Sequence, residues 1–330
     1  MMGRLLTLMT CQWADLEMET MCQKAKTMGY DGLELACWGN HLNLKKAVDS
    51  DQYIEDIKKL LDKYDLKVYA LATHIIGQCV GDYNDPRLNN FAPAELADNP
   101  EAIREWAVTN MKYAAIAAKK LGCKVVTGFT GSPIWKYMYS FPQTTESIIE
   151  AGYQEIYDLW SPILDVFKEN GIKFALEVHP AEIAFDYYST KRLLEKFVDR
   201  PEFGLNFDPS HLIWQGLKPE LFLLDFAARV YHVHMKDAAV TLDGRNGLLG
   251  SHVDFGELNR GWNFRSLGHG DVDFESIIRV LNKVGYMGPL SVEWEDSGME
   301  REYGAAEAAA FVRKIDFEAS NIKFDDAIAN

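Results

Sequence analysis

The amino-acid sequence predicts an α/β protein that folds as a closed (β/α)8 barrel. Eight short apolar segments alternate with eight segments of helical periodicity along the 330 residues, and this alternation predicts a parallel sheet. The units are evenly spaced without a linker, so one domain over residues 1–330 is expected. A doubly wound open sheet is the less favoured alternative. Residues 10–13 after the first strand, Thr-Cys-Gln-Trp, do not form the Gly-rich phosphate loop of that fold.

Each predicted strand is a short apolar run. The runs are Arg4–Thr10, Tyr30–Cys37, Lys67–Thr73, Lys124–Phe129, Ile172–Val178, Phe203–Asp208, Val230–Met235 and Leu290–Glu293. The helices between them carry apolar residues at helical spacing, and several end at a glycine. They are predicted at Asp15–Met28, 51–64, Glu101–Leu121, Thr145–Asn170, Ser189–Val198, Pro219–Ala228, Phe274–Val284 and Arg301–Phe317. Longer loops at about residues 81–100, 131–145 and 237–272 are expected to surround the active site.

The composition is that of a soluble globular protein, with 48% hydrophobic and 25% charged residues. The formal net charge of -15 argues against nucleic acid or an anionic membrane as a partner, because both require a basic surface. The five cysteines form no C-x-x-C pair and indicate reduced thiols in a cytoplasmic protein. Acidic residues soon follow the apolar run Leu5–Met9, so neither a signal peptide nor a membrane span is expected.

Potential metal ligands stand at the ends of four later strands. The segments are Lys-Phe-Ala-Leu-Glu-Val-His-Pro at 173–180, Phe-Gly-Leu-Asn-Phe-Asp at 203–208, Val-Tyr-His-Val-His-Met-Lys at 230–236 and Leu-Ser-Val-Glu-Trp-Glu at 290–295. Successive side chains of a strand alternate between faces, so Glu177 and His179 point the same way. In a (β/α)8 barrel the active site lies at the carboxyl ends of the strands. We therefore expect these side chains to converge there.

The most economical metal-binding set takes one residue from each of these strands: Glu177, Asp208, His234 and Glu293. Three carboxylates and one imidazole favour one Mn²⁺, Mg²⁺ or Co²⁺ ion, although Zn²⁺ is possible. The alternative is that these four residues form salt bridges instead of binding a metal. Salt bridges would require Lys or Arg partners at the strand ends, and Lys236 is the one obvious candidate there. The metal site is the favoured interpretation.

The remaining polar side chains near the strand ends are predicted to bind substrate. They are His211, His179, His232, Lys236, His74 and Arg265. A single histidine is more often structural, but six histidines at or near strand ends, together with several carboxylates, favour a functional site. Glu295 lies two residues beyond Glu293 and is expected to support the metal ligands from behind.

The strand-end motifs resemble those of the sugar phosphate isomerase/epimerase superfamily, whose fold is xylose isomerase-like. The motifs are Leu-Glu-Val-His-Pro, Asn-Phe-Asp-Pro-Ser-His, His-Val-His-Met-Lys-Asp and Ser-Val-Glu-Trp-Glu-Asp, joined by Gly-Tyr-Asp-Gly-Leu-Glu-Leu at 29–35 and Gly-His-Gly-Asp-Val-Asp-Phe at 268–274. The resemblance covers nearly the whole chain. It implies that Glu177, Asp208, His234 and Glu293 hold one ion. It also implies that Glu177 and Glu293 act as acid and base and that His211 binds substrate.

The resemblance further implies an isomerase or epimerase that removes a proton from a keto-sugar or sugar derivative to give a metal-stabilised enediolate. β-Elimination on 3-keto-glycosides, as in the catalytic subunit of C-glycoside deglycosidases, or dehydration is the alternative. A non-catalytic sugar-binding or scaffold subunit of an oxidoreductase complex is the third hypothesis. The endonuclease IV branch requires a basic face, which the net charge of -15 disfavours. The expected partners are a small-molecule sugar or glycoside and further copies of this chain, with a small partner subunit as an additional alternative.

Overall fold

Eight parallel strands close into a barrel in the computed structural model, which describes residues 3–322 and 325–328. The barrel strands are β1 (Leu6–Met9), β2 (Gly32–Ala36), β3 (Lys67–Ala72), β4 (Val125–Gly128), β5 (Lys173–Glu177), β6 (Phe203–Phe207), β7 (Val230–Met235) and β10 (Leu290–Val292). Each pairs with its neighbour in chain order, and β10 closes the barrel on β1 with Leu6 opposite Leu290. The predicted (β/α)8 barrel and all eight predicted strands are confirmed.

The strands form because short apolar runs can be covered on both sides by the barrel interior and the helices. Every residue of β2 and β6 is buried. Phe174 of β5 packs on Trp160 and Phe167, with ring centroids 4.4 and 5.9 Å apart. These aromatic contacts hold β5 against its helix and thereby fix the strand that ends in Glu177.

Eleven α-helices accompany the strands in the described residues. They are α1 (Met18–Thr27), α2 (Leu44–Asp49), α3 (Asp51–Lys63), α4 (His74–Gly81), α5 (Pro100–Leu121), α6 (Glu146–Asn170), α7 (Tyr187–Lys196), α8 (Ser210–Ile213), α9 (Pro219–Phe226), α10 (Phe274–Val284) and α11 (Arg301–Ile315). Gly122 and Gly171 end α5 and α6 in the left-handed conformation, with φ of 87° and 68°. Across residues 3–322 and 325–328, the structure has no helix with the length and apolar character needed to cross a lipid bilayer.

The eight predicted helices are all present, but α2, α4 and α8 were not predicted. These helices have 6, 8 and 4 residues, too few for a clear helical period in the sequence. Helix α7 also begins two residues before its predicted start. Asp186 caps it by accepting a hydrogen bond from the backbone N–H of Ser189, at 2.9 Å.

The segment 237–272, expected to be a loop, contains an antiparallel pair of strands, β8 (Asp237–Val240) and β9 (Trp262–Arg265). The pair forms because Ala238, Trp262 and Phe264 bury their side chains together beside the barrel. The other two long connections contain only short 3-10 turns between their helices, at Pro86–Asn90, Ala94–Leu96 and Trp135–Tyr137.

Candidate metal centre

Four potential ligands converge at the carboxyl end of the barrel. Glu177 is the last residue of β5, Asp208 follows β6, His234 lies in β7 and Glu293 follows β10. One ligand atom from each of these residues lies within 4.8 Å of every other. All four side chains are buried, with at most 7% of their surface exposed. The structure thus brings together the four residues that the sequence predicted as metal ligands.

The imidazole of His234 lies at the centre of this cluster. Its Nδ1 is 2.9 Å from Glu177 Oε2 and 2.8 Å from Glu293 Oε2. The side-chain amide nitrogen of Asn206 approaches the same Nδ1 at 3.1 Å. A single ring nitrogen carries at most one proton, so it cannot donate to both carboxylates while also accepting from the amide. A cation among these atoms would relieve that conflict.

Two buried carboxylate oxygens of the cluster are contacted only by imidazole nitrogens. Among the residues described, Asp208 Oδ2 and Glu293 Oε2 accept no hydrogen bond of suitable geometry, although His211 Nε2 and His234 Nδ1 lie 3.2 and 2.8 Å away. A buried carboxylate oxygen without a well-aligned donor is costly unless a cation compensates it. These oxygens, with Glu177 and the imidazole, therefore fit a divalent ion of the kind that prefers oxygen ligands.

The electrostatics of the cluster also favour a positive charge at its centre. Burial raises the pKa of Glu177, but hydrogen bonds from His211 and His234 outweigh it and hold the pKa well below its ordinary value. Burial lowers the pKa of His234, but the charges of Glu34, Glu293 and Glu177 hold that pKa well above its ordinary range. The surrounding carboxylates therefore stabilise a cation at this position.

Two further histidines contact Glu177 from above the barrel. His211 Nε2 lies 3.0 Å from Glu177 Oε1 and 3.2 Å from Asp208 Oδ2. His74, the first residue of α4, places its Nε2 3.2 Å from Glu177 Oε2. Burial lowers the pKa of His211, but Asp208 and Glu177 raise it to about 9. His211 therefore presents a charged donor beside the cluster.

Lys236 borders the cluster at Glu293. Its ammonium lies 3.0 Å from Glu293 Oε1 and donates to Glu295 Oε1 at 3.1 Å. The same nitrogen stands 4.3 Å from the ring centroid of Phe264, in the antiparallel pair β8–β9. Burial lowers the pKa of Lys236, but Glu293 and Glu295 hold it well above its ordinary value. The lysine is therefore a fixed cation rather than a solvated surface residue.

The other residues predicted to bind substrate lie at different distances from the cluster. The ring of His179 packs against that of His211, with centroids 4.2 Å apart. The ring of His232 packs edge-on against that of His234, with centroids 5.5 Å apart, and its Nε2 contacts Glu34 at 2.8 Å. Arg265 lies beside Asp296, with 3.9 Å between Nη1 and Oδ1. A substrate-binding role for these residues stays a prediction.

Glu34 was not among the predicted site residues, yet its carboxylate lies directly beneath the cluster. It contacts His232, His234 and the hydroxyls of Ser291 and Thr127, and its side chain is fully buried. Its signal in the sequence is an acidic residue in the middle of the apolar strand Gly-Leu-Glu-Leu-Ala. A charged residue is almost never fully buried without a partner, so this position pointed to a buried cation or hydrogen-bond donor.

Comparison with known sequences identifies relatives along nearly the whole chain. The family model described as xylose isomerase-like TIM barrel matches residues 22–315. Uncharacterized protein YfiH of Bacillus subtilis is 28% identical over 319 residues, which cover 91% of this chain and 95% of that protein. Inosose dehydratase of Clostridium beijerinckii is 34% identical over 170 residues, covering 52% of this chain and 54% of that protein.

Comparison with solved structures shows the same fold. The apo form of 3-keto-D-glucoside 4-epimerase, YcjR, from E. coli superimposes with a TM-score of 0.66 and 16% sequence identity. The superposition covers 95% of this chain and all of that one, at 100%. The fold, the convergent strand ends and the match over residues 22–315 lead to one conclusion. The chain belongs to the xylose isomerase-like TIM barrel family, as the resemblance of its motifs implied.

Proposed function

We propose that this protein is a divalent-metal-dependent isomerase or epimerase that acts on a keto-sugar or sugar derivative by proton abstraction. The observation that carries the proposal is the convergence of four buried ligand side chains, with their ligand atoms within 4.8 Å of one another, at the carboxyl ends of four strands. The set comprises Glu177, Asp208, His234 and Glu293. This donor set favours Mn²⁺, Mg²⁺ or Co²⁺, with Zn²⁺ as the alternative.

When bound, a divalent ion at this site would supply Lewis acidity, polarising the substrate carbonyl and stabilising the charge of an enediolate. The residues of the chain perform the proton transfers. Glu177 and Glu293 stand on two sides of His234 Nδ1, at 2.9 and 2.8 Å. In a turnover that begins with one carboxylate ionised and the other protonated, the ionised one would remove the proton next to the carbonyl, and the protonated one would return its own proton to the opposite face. Return to the same carbon gives epimerisation, and return to the neighbouring carbon gives isomerisation.

Each proposed acid–base carboxylate has its own cationic neighbour. His211 lies 3.0 Å from Glu177 Oε1, and Lys236 lies 3.0 Å from Glu293 Oε1. The hydrogen bonds from His211 and His234 lower the pKa of Glu177 and keep this carboxylate competent as a base at neutral pH. We propose that His211 and Lys236 donate hydrogen bonds to substrate oxygens. His74 and His179, which border Glu177 and His211, would contact the sugar hydroxyls beside them.

β-Elimination is the second candidate reaction, and the similarity to inosose dehydratase favours it. Elimination and epimerisation begin with the same proton abstraction and diverge afterwards. In an elimination, the electron pair of the enediolate expels a substituent from the β-carbon, and a charged donor protonates the departing oxygen. Lys236 and His211 are the charged donors within reach of the cluster. The substrate would then be an inosose-like ring or a 3-keto-glycoside.

The proposal is tested by metal analysis of the purified chain, followed by a screen of keto-sugars and 3-keto-glycosides in deuterium oxide. We expect a bound divalent ion and solvent deuterium at the carbon next to the carbonyl. Conversion without deuterium uptake would contradict proton abstraction and indicate a hydride shift. Loss of water or of the aglycone would identify elimination.

Three variants separate catalysis from a purely structural role. Glu177→Gln and Glu293→Gln remove the proposed acid–base groups, while Glu182→Gln changes another buried glutamate that contacts none of the four ligands in the described residues. Loss of turnover in the first two variants, at a Mn²⁺ concentration that keeps their sites occupied, together with unchanged turnover in the third, supports catalysis. Equal function in all three would favour the non-catalytic sugar-binding subunit.

A further inference from the structure

We infer that Glu34 is a positioning residue for the proposed metal ligand His234. It holds the imidazole by Nε2, so that the lone pair of Nδ1 faces the cluster formed with Glu177 and Glu293. The inference rests on the proposed metal centre. It extends that centre to Glu34 in β2, whereas the ligand His234 belongs to β7.

The two ring nitrogens of His234 face different partners. Nε2 lies 3.0 and 3.1 Å from the two carboxylate oxygens of Glu34. Nδ1 lies 2.9 Å from Glu177 and 2.8 Å from Glu293. A neutral imidazole carries its proton on one nitrogen, and a carboxylate acceptor draws that proton to the nitrogen it contacts. The contact with Glu34 therefore retains the proton on Nε2, so Nδ1 is the nitrogen that can give up its proton and act as a metal ligand.

Glu34 is itself held in a fixed orientation. Its Oε2 accepts a hydrogen bond from Ser291 at 2.6 Å and lies 2.8 Å from His232 Nε2. Its Oε1 accepts a hydrogen bond from the hydroxyl of Thr127. These partners belong to strands β10, β7 and β4, whereas Glu34 belongs to β2. Contacts from three other strands prevent the carboxylate from rotating away from His234.

The residues Glu34, His232 and His234 could also be considered a second metal site, because their ligand atoms lie within 4.8 Å of one another. The hydroxyls argue against this interpretation. Ser291 and Thr127 each donate a proton to a Glu34 oxygen, and both imidazoles already contact the same carboxylate. A carboxylate saturated by donors orients a ligand rather than binding an ion itself. The inference therefore requires one ion per chain.

The test titrates the full-length protein with Mn²⁺ and measures affinity and stoichiometry by calorimetry. We expect Glu34→Gln to bind about 10- to 100-fold more weakly than the natural chain, the range observed when a carboxylate behind a metal-binding histidine is changed. The matched control Glu182→Gln should bind as the natural chain does. The visible spectrum of the Co²⁺ complex should change in Glu34→Gln alone, because it reports the ligand field at His234.

Several outcomes would overturn the inference. An unchanged Mn²⁺ affinity and Co²⁺ spectrum in folded Glu34→Gln would reduce Glu34 to a packing role. Two Mn²⁺ ions per natural chain would make it a ligand of a second site. Failure of the natural chain to bind any divalent ion would instead overturn the proposed function.

If Glu34→Gln does not fold, the same Mn²⁺ titration is performed with Ser291→Ala. This variant removes one donor from Glu34 Oε2 without altering the four proposed ligands. A loss of affinity toward the lower end of the same range, about tenfold, supports the inference. Affinity equal to that of the natural chain overturns it.

Discussion

Two glutamates of this barrel are equally inaccessible to solvent, yet their surroundings hold them in opposite charge states. Glu34, in the barrel interior, contacts the imidazoles of His232 and His234. Burial raises the pKa of Glu34, but the charges of these two histidines outweigh it and hold the pKa well below its ordinary value. Glu34 is therefore ionised throughout the neutral range.

Glu182, in the connection that follows β5, is surrounded by neutral donors. Its Oε2 accepts hydrogen bonds from the backbone N–H groups of Thr130 and Gly131, at 2.7 and 2.8 Å, and from the Thr130 hydroxyl at 3.0 Å. Burial, followed by the charge of Asp82, raises its pKa to about 8. Neutral amides thus do not offset desolvation at Glu182, whereas the imidazoles beside Glu34 do so there. The barrel interior therefore contains an ionised glutamate. The loop junction, where Glu182 after β5 contacts Thr130 and Gly131 after β4, contains a protonated one.

The largest expected difference between the two regions concerns turnover. On the substrate identified by the deuterium screen, Glu177→Gln should lower kcat by about 10²- to 10⁴-fold, because it removes a general base. Glu182→Gln should leave kcat unchanged, since the hydrogen bonds of its side chain go to Thr130 and Gly131 and the substitution leaves the backbone in place. Steady-state kinetics of both variants would check this. A large loss in Glu182→Gln would show that the loop junction takes part in the chemistry.

The barrel and the convergence of Glu177, Asp208, His234 and Glu293 could be predicted from the sequence because each depends on a local pattern. Apolar strands of 3 to 6 residues alternate with amphipathic helices, and a polar residue at a strand end is visible in the sequence itself. Glu177 and Asp208 stand out for that reason. The topology of a closed barrel then brings the strand ends together whatever their separation in the chain.

The role of Glu34 could not be predicted in the same way. Its partners His234 and Ser291 are 200 and 257 residues away in the chain, and the contacts exist only because β2 and the late strands share the barrel interior. His232 shares a face with His234, but a shared face does not specify which polar groups a side chain reaches in the barrel interior. Side-chain depth depends on strand register, which the periodicity of the sequence does not contain.

The pH dependence of stability provides the second prediction. The folded state retains a proton on Glu182 up to about pH 8, whereas an unfolded chain releases it near its ordinary pKa of 4.5. Because the folded state binds more protons between these values, this residue lowers the free energy of unfolding as the pH rises from about 4.5 to 8. The cost reaches at most roughly 4–5 kcal/mol and then levels off.

Glu182→Gln does not titrate, so it should escape this loss. We expect the variant to match the natural chain at pH 5 and to be more stable than it at pH 8.5. Urea unfolding at both pH values would measure the difference between the two chains, in which contributions from other titrating groups cancel. A difference that is independent of pH would show that Glu182 is ionised in the folded protein.

The third prediction concerns stabilisation by the proposed metal. A ligand that binds only the folded state stabilises it by about 2.7 kcal/mol at a concentration 100 times its Kd. Mn²⁺ should therefore raise the melting temperature of the natural chain and of Glu182→Gln equally. Asp208→Asn, which lacks one proposed ligand oxygen, should show little or no increase. Thermal unfolding with and without Mn²⁺ tests this, and an equal increase in all three chains would exclude Asp208 as a ligand.

The smallest predicted effect compares one hydroxyl donor in each region. Ser291 donates to ionised Glu34 at 2.6 Å, and Thr130 donates to Glu182 at 3.0 Å. Hydrogen bonds to charged groups contribute about 1.5–3 kcal/mol, and those between neutral groups about 0.5–1.5 kcal/mol. At pH 6, Ser291→Ala should therefore destabilise the chain more than Thr130→Val does, as measured by urea unfolding.

At pH 9, the cost of Thr130→Val should approach that of Ser291→Ala, because Glu182 has then lost its proton and also accepts as a charged group. The cost of Ser291→Ala should not change between these pH values, since Glu34 is ionised at both. Equal costs at pH 6 would mean that the two carboxylates carry the same charge, and the contrast between the imidazole-lined interior and the amide-lined loop junction would then be wrong. If the destabilisation by Thr130→Val grows with pH while that by Ser291→Ala does not, the donors around each carboxylate determine its charge state.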